Sequence, residues 1–235
     1  MTKTDEIYKQ LRNDIFAVRL APGSPLKLSK LCEDYRITIT PLREAMQRLE
    51  KECLVELTPN VGFRVAPVSS VELLELTKTK TYLELTLLRE SMAFGGLDWE
   101  AKIIATHYTL SREEPNLEPE NNPEGFTSWS VAHEAFHESL ICANKSPWLF
   151  RFYRQATEHI RRHGRALRYT NPYVHSGTTV DAMQASPSLR NSSSLELHTD
   201  LKDAVIKRQN DKAEMLLIKH NDLTVLAYEE LGILG

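Results

Sequence analysis

The 235-residue sequence has few of the features that mark membrane-spanning, secreted or cysteine-rich proteins. No apolar run approaches the roughly 18 residues that a membrane-spanning helix needs, and the N-terminus has no signal-peptide core. The three cysteines, Cys32, Cys53 and Cys142, are widely spaced and form no CxxC pattern, which argues against a disulfide framework. We therefore expect a cytoplasmic chain whose cysteines are reduced core residues.

Neither sign of charge is in large excess over the whole chain. The sequence has 29 Lys and Arg against 32 Asp and Glu, a net charge of −3, so the protein as a whole is not a polyanion binder. Residues 1–66 hold 11 basic and 9 acidic residues, a net +2, which leaves 18 and 23, a net −5, for residues 67–235. Any nucleic-acid contact is therefore expected in the first part.

The first 66 residues alternate apolar positions and turn residues in a recognisable order. Apolar spacing predicts helices over Thr4–Val18, Ser29–Asp34 and Ile37–Leu49. Two short strands are predicted after them, Cys53–Leu57 and Phe63–Val65, joined by a turn in which Gly62 can take positive φ. Three helices and a hairpin predict a winged helix-turn-helix. A small α+β domain that only packs is the alternative.

The segment Ile37–Leu49 is the most informative stretch of the chain. Thr40 is a favoured N-cap and Pro41 a favoured first helical residue. Helical spacing then divides the remaining side chains into an apolar face, Leu42, Ala45, Met46 and Leu49, and a polar face, Arg43, Gln47 and Arg48. One face can pack while the other contacts a partner.

Residues 67–70 form a predicted linker, and no strand pattern follows it. Helices are expected over Val71–Met92, Trp99–Leu110, Ser128–Ala143, Pro147–Arg168, Ser193–Arg208 and Asp211–Leu231. Two segments lack clear periodicity: Ser111–Gly125, an expected exposed loop, and Tyr169–Asn191, with a short helix near Thr179–Ala185. The chain is therefore expected to be mainly α, with an antiparallel all-helical bundle over residues 71–235.

Four histidines in the predicted bundle have a spacing that allows a shared site. His133 and His137 lie at i and i+4, on one face of a helix. His198 and His220 are 22 residues apart, and the polar turn near Gln209 lies halfway between them. An antiparallel hairpin turning there brings both to the same level. Four readings remain open: a metal site of four ligands, a site of three with His133 left to bind an effector, a metal-free polar pocket, and ordinary structural histidines.

The first part of the chain resembles the GntR family of bacterial transcription regulators. The residues that carry the resemblance are Leu20–Leu26, Thr40–Ala45 and Pro59–Val65. The resemblance implies that the start of the second helix of the motif enters the major groove of DNA while the wing approaches the minor groove. Carried over by position, the DNA-binding residues are Thr38, Ile39, Thr40, Arg43 and Gly62, with Arg48 as a phosphate-binding or helix-packing residue.

Two positions depart from that resemblance. Ile39 stands where the family usually has an arginine, which reads guanine through two hydrogen bonds, whereas isoleucine offers only apolar contact. Val18 stands where relatives commonly have glycine. The first departure changes the expected operator, and the second concerns the first turn.

The second part resembles the FCD ligand-binding domain of the FadR subfamily. The resemblance is carried by Glu75–Leu76, Leu83–Glu84, His133–His137, Asn144–Pro147 and the segment from His198 to His220. It implies a divalent metal held by His133, His137, His198 and His220 beside an effector pocket, with His133 where relatives have aspartate. An all-imidazole site favours zinc, nickel or another borderline metal. Lys80, Arg161 and Arg165 are the expected contacts of an anionic effector.

These observations predict a homodimeric, sequence-specific regulator that reads a near-palindromic operator and senses a small organic acid. The resemblance favours a repressor over an activator. Two other functions remain open: a metal-dependent hydrolase with an accessory head, and an architectural DNA-binding protein that senses nothing. Four protein ligands would leave tetrahedral zinc no position for catalytic water, which argues against the hydrolase.

Overall fold

A computed structural model describes residues 2–115, 127–170, 182 and 184–234 of the chain. The described residues divide into two compact units, an N-terminal unit up to Ser69 and a C-terminal unit from Ser70 onward. None of the described helices combines the length and the apolar character that crossing a bilayer requires.

The N-terminal unit consists of three helices and a small antiparallel sheet. Its elements in chain order are α1 (Lys3–Phe16), β1 (Pro25–Leu26), α2 (Leu28–Asp34), α3 (Ile39–Lys51), β2 (Val55–Thr58) and β3 (Gly62–Val65). The strands lie in the order β1-β3-β2, so the predicted hairpin gains a third strand through the pairing of Leu26 with Phe63. That strand has only two residues, too few for an alternating pattern to reveal it. The winged helix-turn-helix prediction is confirmed.

The start of α3 differs from the prediction. The N-cap is Thr38, and Ile39 is the first helical residue, so the expectation that Thr40 caps the helix and Pro41 begins it is wrong. Proline is tolerated throughout the first turn because backbone N–H groups there have no partner within the helix. The predicted packing face is confirmed, because Leu42, Ala45, Met46 and Leu49 are fully buried.

The core of the N-terminal unit joins all of its elements. Ile7, Leu11 and Ile15 of α1 pack with the buried face of α3 and with Val65 of β3. The expectation of a buried Cys53 is wrong: this residue is exposed, because α3 has ended before it and its φ of 57° belongs to a turn. Cys32 and Cys142 are partly buried, and all three thiols are free.

The C-terminal unit is helical throughout its described residues. The helices are α4 (Ser70–Phe94), α5 (Leu97–Ser111), α6 (Ser128–Ile141), α7 (Pro147–Thr170), α8 (Pro187–Ser192), α9 (Leu195–Ile206) and α10 (Asn210–Glu230). One core cluster includes Leu87 of α4, Ile103 of α5, Phe136 of α6, Leu201 of α9 and Leu217 of α10. The predicted all-helical architecture is confirmed.

Helix α8 lies in a segment for which the sequence showed no clear periodicity. Ser186 caps it by accepting a hydrogen bond from the Leu189 N–H, and Pro187 follows at the first helical position. Glu230 of α10 accepts hydrogen bonds from the hydroxyls of Ser186 and Ser188, which fixes this short helix to the bundle. The short helix predicted near Thr179–Ala185 falls largely outside the described residues.

The first turn of the N-terminal unit contains a strained residue. Val18 follows α1 with φ 60°, in the left-handed region. A β-branched side chain is disfavoured there because its Cβ crowds the following carbonyl. The valine noted where relatives have glycine therefore occupies a conformation that glycine adopts without strain.

We expect Val18→Gly to raise the free energy of unfolding by about 0.5–1 kcal/mol, because glycine relieves the left-handed strain. Urea denaturation of both proteins measures the difference. Ala17→Gly is the matched control, since Ala17 has an ordinary φ of −77° and glycine there should only destabilise. A Val18→Gly protein no more stable than the wild type would contradict this account of the turn.

Candidate metal centre and nucleic-acid interface

The start of α3 presents a contiguous exposed surface. Thr38, Ile39, Thr40 and Arg43 are all exposed, and Ile39 retains 43% of its accessible surface. The wing lies in the same unit, where Val61 is 81% exposed at the turn before β3 and Gly62 adopts the positive φ predicted for it, 106°. These side chains are available to a partner, as expected for residues that contact DNA.

Arg48 is held within its own unit. Its Nη1 atom lies 2.8 Å from Asp5 Oδ1 on α1, and its guanidinium lies 5.9 Å from the centre of the Tyr8 ring. The hydrogen bond from Arg48 is the main cause that lowers the pKa of the Asp5 carboxyl below its ordinary value. Of the two roles predicted for Arg48, these contacts favour helix packing over phosphate binding.

The four histidines singled out in the sequence lie together inside the C-terminal unit. One nitrogen from each of His133, His137, His198 and His220 lies within 4.8 Å of the others. His137 and His220 have the closest rings, with centroids 4.5 Å apart, and His133 lies 4.9 Å from His198. We call these residues the histidine cluster.

Local sequence explains how three helices bring these rings together. His133 and His137 lie four residues, about one helical turn, apart on one face of α6. Helix α9 ends before Arg208, whose φ of 55° reverses the chain, and Gln209 is the N-cap of α10. The resulting antiparallel hairpin places the His198 and His220 ring centroids 5.1 Å apart. The predicted hairpin geometry is therefore observed.

Hydrogen bonds to the outer ring nitrogens define the tautomers of three of these histidines. Nδ1–H of His198 donates to the Ser194 carbonyl at 2.7 Å, and Nδ1–H of His137 donates to Glu84 Oε1 at 3.2 Å. Nδ1 of His220 lies 3.4 Å from Asn221 Oδ1. With its proton on Nδ1, each neutral ring carries a lone pair on Nε2.

The Nε2 atoms are left facing one another. Those of His137 and His198 are buried without a hydrogen-bond partner, and His220 Nε2 lies 3.3 Å from His133 Nε2. Buried polar atoms without partners are rare and costly in native proteins. A cation between the rings would give these lone pairs a partner, so the donor set is suited to a transition metal.

Burial favours the neutral, metal-binding form of three members of this cluster, His133, His198 and His220. Burial is the main cause that lowers the pKa of His133 and His220 well below the ordinary histidine value, and the other imidazoles act in the same direction. Burial, with His137 as a second cause, lowers the pKa of His198 to about 3. Uncharged imidazoles with free lone pairs are the form required for coordination.

A buried carboxylate lies directly behind the histidine cluster. Glu84 of α4 is only 1% exposed and contacts His137, Lys80, Asn221 and Tyr153. Burial works to raise the pKa of Glu84, but the Lys80 ammonium and the His137 hydrogen bond outweigh it and hold that pKa well below its ordinary value. Glu84 is therefore an anion inside the bundle.

A small cavity adjoins the cluster at His198. It has a volume of about 260 Å³, and its lining comprises Leu110, Glu113, Pro115, Trp129, Arg190, Ser193, Ser194, Leu195 and His198. The Trp129 indole stacks on the His133 ring with centroids 4.7 Å apart. The cavity therefore contacts the cluster directly at His198 and, through Trp129, lies next to His133.

The three residues predicted to bind an effector have different surroundings. Lys80 donates to Glu84 Oε2 at 2.6 Å and to Asn221 Oδ1 at 3.3 Å, so it belongs to the layer behind the histidines. Arg161 forms an ion pair with Glu134 of α6, and Arg165 is half-buried on α7. None of the three lines the cavity beside His198. Their role in effector binding stays a prediction.

The other i,i+4 histidine pair does not extend the cluster. His159 and His163 lie buried on α7, with ring centroids 6.4 Å apart. Among the residues that the structure describes, the histidine cluster is the only group found with the spacing for a metal ion. Sequence reasoning assigned no role to Glu84, Asn221 or Trp129. The Lys80–Glu84 spacing of i,i+4 marks an ion pair on a helix, but only the fold shows that it is buried.

Comparison with known families divides the chain in the same way. The family model described as bacterial regulatory proteins, gntR family, matches residues 3–65, and the FCD domain model matches residues 75–223. The four members of the histidine cluster all lie within the second match.

Individual relatives and structures agree with these matches. The chain is 30% identical over 229 residues to the uncharacterized HTH-type transcriptional regulator BphR from Paraburkholderia xenovorans. The aligned region covers 97% of this chain and 85% of that protein. It is 32% identical to the HTH-type transcriptional repressor GlaR of Escherichia coli, over 60% of this chain and 63% of GlaR. E. coli McbR/YncC has the same fold, with a TM-score of 0.64, 17% identity and coverage of 97% of this chain and 98% of that chain.

Proposed function

Because this chain belongs to the gntR family of bacterial regulatory proteins and carries an FCD domain, it is a DNA-binding transcription regulator and not an enzyme, and we propose that it is a metal-dependent repressor. In this proposal the C-terminal unit binds a divalent transition metal and a small organic acid. Binding of the acid changes the affinity of the N-terminal unit for its operator.

The observation that carries the metal site is the convergence of one nitrogen from each of four imidazoles, two of which have a buried Nε2 without a hydrogen-bond partner. His137 and His198 point unpaired Nε2 atoms into the cluster, and the Nε2 atoms of His133 and His220 lie 3.3 Å apart. That short separation supports His133 as a fourth ligand over a role reserved for effector binding. Imidazole donors favour zinc or nickel over hard cations such as magnesium.

The charge of such a site supports an anionic effector. Neutral imidazoles add no negative charge, and Lys80, 2.6 Å from Glu84, offsets part of the single negative charge of that carboxylate. A bound divalent ion would therefore keep its positive charge in a poorly solvated interior, where an anion interacts strongly. We propose that a carboxylate enters the cavity beside His198, with Arg190 as a further cationic contact.

The proposed operator contacts come from the exposed start of α3. Thr38, Thr40 and Arg43 would contact base edges, Ile39 would make apolar contacts, and Gly62 would allow the wing to turn toward the minor groove. We propose a homodimer, because two such helices related by twofold symmetry read a near-palindromic site. The repressor GlaR, similar over 60% of this chain, supports repression as the direction of control.

Coupling between effector and operator is proposed to follow thermodynamic linkage. If the acid binds one conformation more tightly than another, it shifts the population toward that conformation. The operator and the acid must then change each other's affinity by the same factor. Measured coupling that failed this reciprocity would point to a separate effect of the acid.

Metal analysis of protein purified without a histidine tag tests the metal site. We expect about one equivalent of zinc or nickel per chain, and a chelator should lower the melting temperature. When the free metal concentration is about a thousand times the dissociation constant, binding adds about 4 kcal/mol to the free energy of unfolding. His137→Ala should lose the metal and the chelator effect together.

His107→Ala is the matched control, because this half-buried histidine contacts Thr199 outside the cluster. It should keep both the metal and the stabilisation. Wild-type protein that takes up less than a small fraction of an equivalent from supplied zinc, and that melts unchanged with chelator, would refute the metal site.

Selection of DNA from a random pool tests the contacts of α3. Ile39→Arg should create a preference for guanine at one position of each half-site, because arginine can pair with O6 and N7 of guanine. Arg43→Ala should remove specific binding to the operator selected by the wild type. Gel shifts with that operator and with random DNA measure both effects.

Gln10→Arg adds the same charge on an exposed position of α1 and serves as the control. It should strengthen binding to every sequence alike, without altering the preferred bases. An Ile39→Arg protein that selects the wild-type operator unchanged would contradict the placement of Ile39 at the bases.

A further inference from the structure

We infer that Glu84 is a positioning residue for the metal site, which orients two of its imidazoles at once and supplies the negative charge that the histidine cluster lacks. This inference rests on the proposed metal site. It concerns a carboxylate from α4, a helix that contributes no member of the cluster itself.

Both oxygens of Glu84 are fully occupied by donors from several helices. Oε1 accepts from Nδ1 of His137 at 3.2 Å and from the Tyr153 hydroxyl at 3.3 Å. Oε2 accepts from Nζ of Lys80 at 2.6 Å and from Nδ2 of Asn221 at 3.1 Å. A buried carboxylate needs such a set of partners to remain ionised.

The bond to His137 fixes the orientation of a proposed ligand directly. With its Nδ1 proton held by the carboxylate, His137 must present its lone pair on Nε2, the atom that faces the other rings. A carboxylate in this position also makes the imidazole a stronger donor to a metal.

Asn221 links Glu84 to a second histidine, His220, and fixes its orientation in the same way. Its Nδ2 donates to Glu84, so its Oδ1 is directed toward Lys80 at 3.3 Å and toward Nδ1 of His220 at 3.4 Å. The amide can therefore accept the Nδ1 proton of His220 only in the orientation that Glu84 holds. One carboxylate thus acts on His137 of α6 and, through Asn221, on His220 of α10.

Charge gives Glu84 and Lys80 opposite effects on a cation, although they form one ion pair. The carboxylate attracts a metal held by the cluster, whereas the Lys80 ammonium, half-buried at 2.6 Å from that carboxylate, repels it. If the pair served only to hold α4 in place, loss of either member would weaken the site. If Glu84 acts electrostatically, the two losses should change metal affinity in opposite directions.

The test measures zinc affinity by competition with a chromophoric chelator at pH 8 in the full-length protein. Glu84→Gln keeps the shape and loses the charge, so we expect zinc binding to weaken about 10–100-fold. Lys80→Met should tighten it several-fold. Asn221→Ala removes the bridge to His220 and one donor to Glu84 but keeps the carboxylate and its bond to His137, so it should weaken zinc binding by a smaller factor than Glu84→Gln.

Cobalt provides a readout that stability alone would not change. The ligand-field absorption of bound Co²⁺ reports the geometry of its donors, and we expect Glu84→Gln and Asn221→Ala to alter that spectrum. Glu214→Gln is the matched control, because it removes a carboxylate charge from an ion pair outside the cluster, the one between Arg89 of α4 and Glu214 of α10. It should leave zinc affinity and the cobalt spectrum as in the wild type.

The outcomes separate this inference from the proposal on which it rests. Wild-type protein that binds no zinc refutes the metal site itself. Zinc binding by the wild type with equal affinity in Glu84→Gln, or weakened equally by Lys80→Met, overturns the role of Glu84 alone. Circular dichroism of the metal-free variants checks folding. If Glu84→Gln does not fold, Lys80→Met and Asn221→Ala decide the question by the direction of their effects.

Discussion

Four imidazole rings with one nitrogen each turned toward the others impose the main constraint on the C-terminal unit. They come from three helices, and burial lowers the pKa of His133, His198 and His220 below the ordinary histidine value. The Nε2 atoms of His137 and His198 are buried without a hydrogen-bond partner, which is rare in protein interiors. The hairpin at Arg208 and Gln209, the stacking of Trp129 and the buried Glu84 all help to maintain the arrangement.

The N-terminal unit meets a different requirement. Helix α3 must bury its apolar face in the core while its first turn stays exposed. Leu42, Ala45, Met46 and Leu49 anchor α3 in the core, and this leaves its first turn free for a partner. Arg48 lies on the exposed face and forms an ion pair with Asp5 of α1. The family makes this unit the DNA-binding part of the chain, and we propose that Ile39 makes its operator differ from those of relatives.

Regular patterns made most of the architecture predictable. Two sequence features were enough to predict the histidine cluster. They are the i,i+4 spacing of His133 and His137 and the turn near Gln209, midway between His198 and His220. The sequence could not reveal Glu84, because an i,i+4 pair with Lys80 is also common on solvated helix faces and only tertiary packing buries it. The cap of α3 was misplaced because Thr38 and Thr40 are equally good candidates by residue type, and β1 was too short to show a period.

X-ray absorption at the metal edge of zinc-loaded protein tests the central claim most directly, since it identifies the atoms bound to the metal. The account predicts a first shell of nitrogen at about 2.0–2.1 Å, with the outer-shell scattering of three or four imidazoles. A shell dominated by sulfur, or by oxygen with at most one imidazole, would contradict it. Such a result would leave the histidine cluster a structural feature of the bundle.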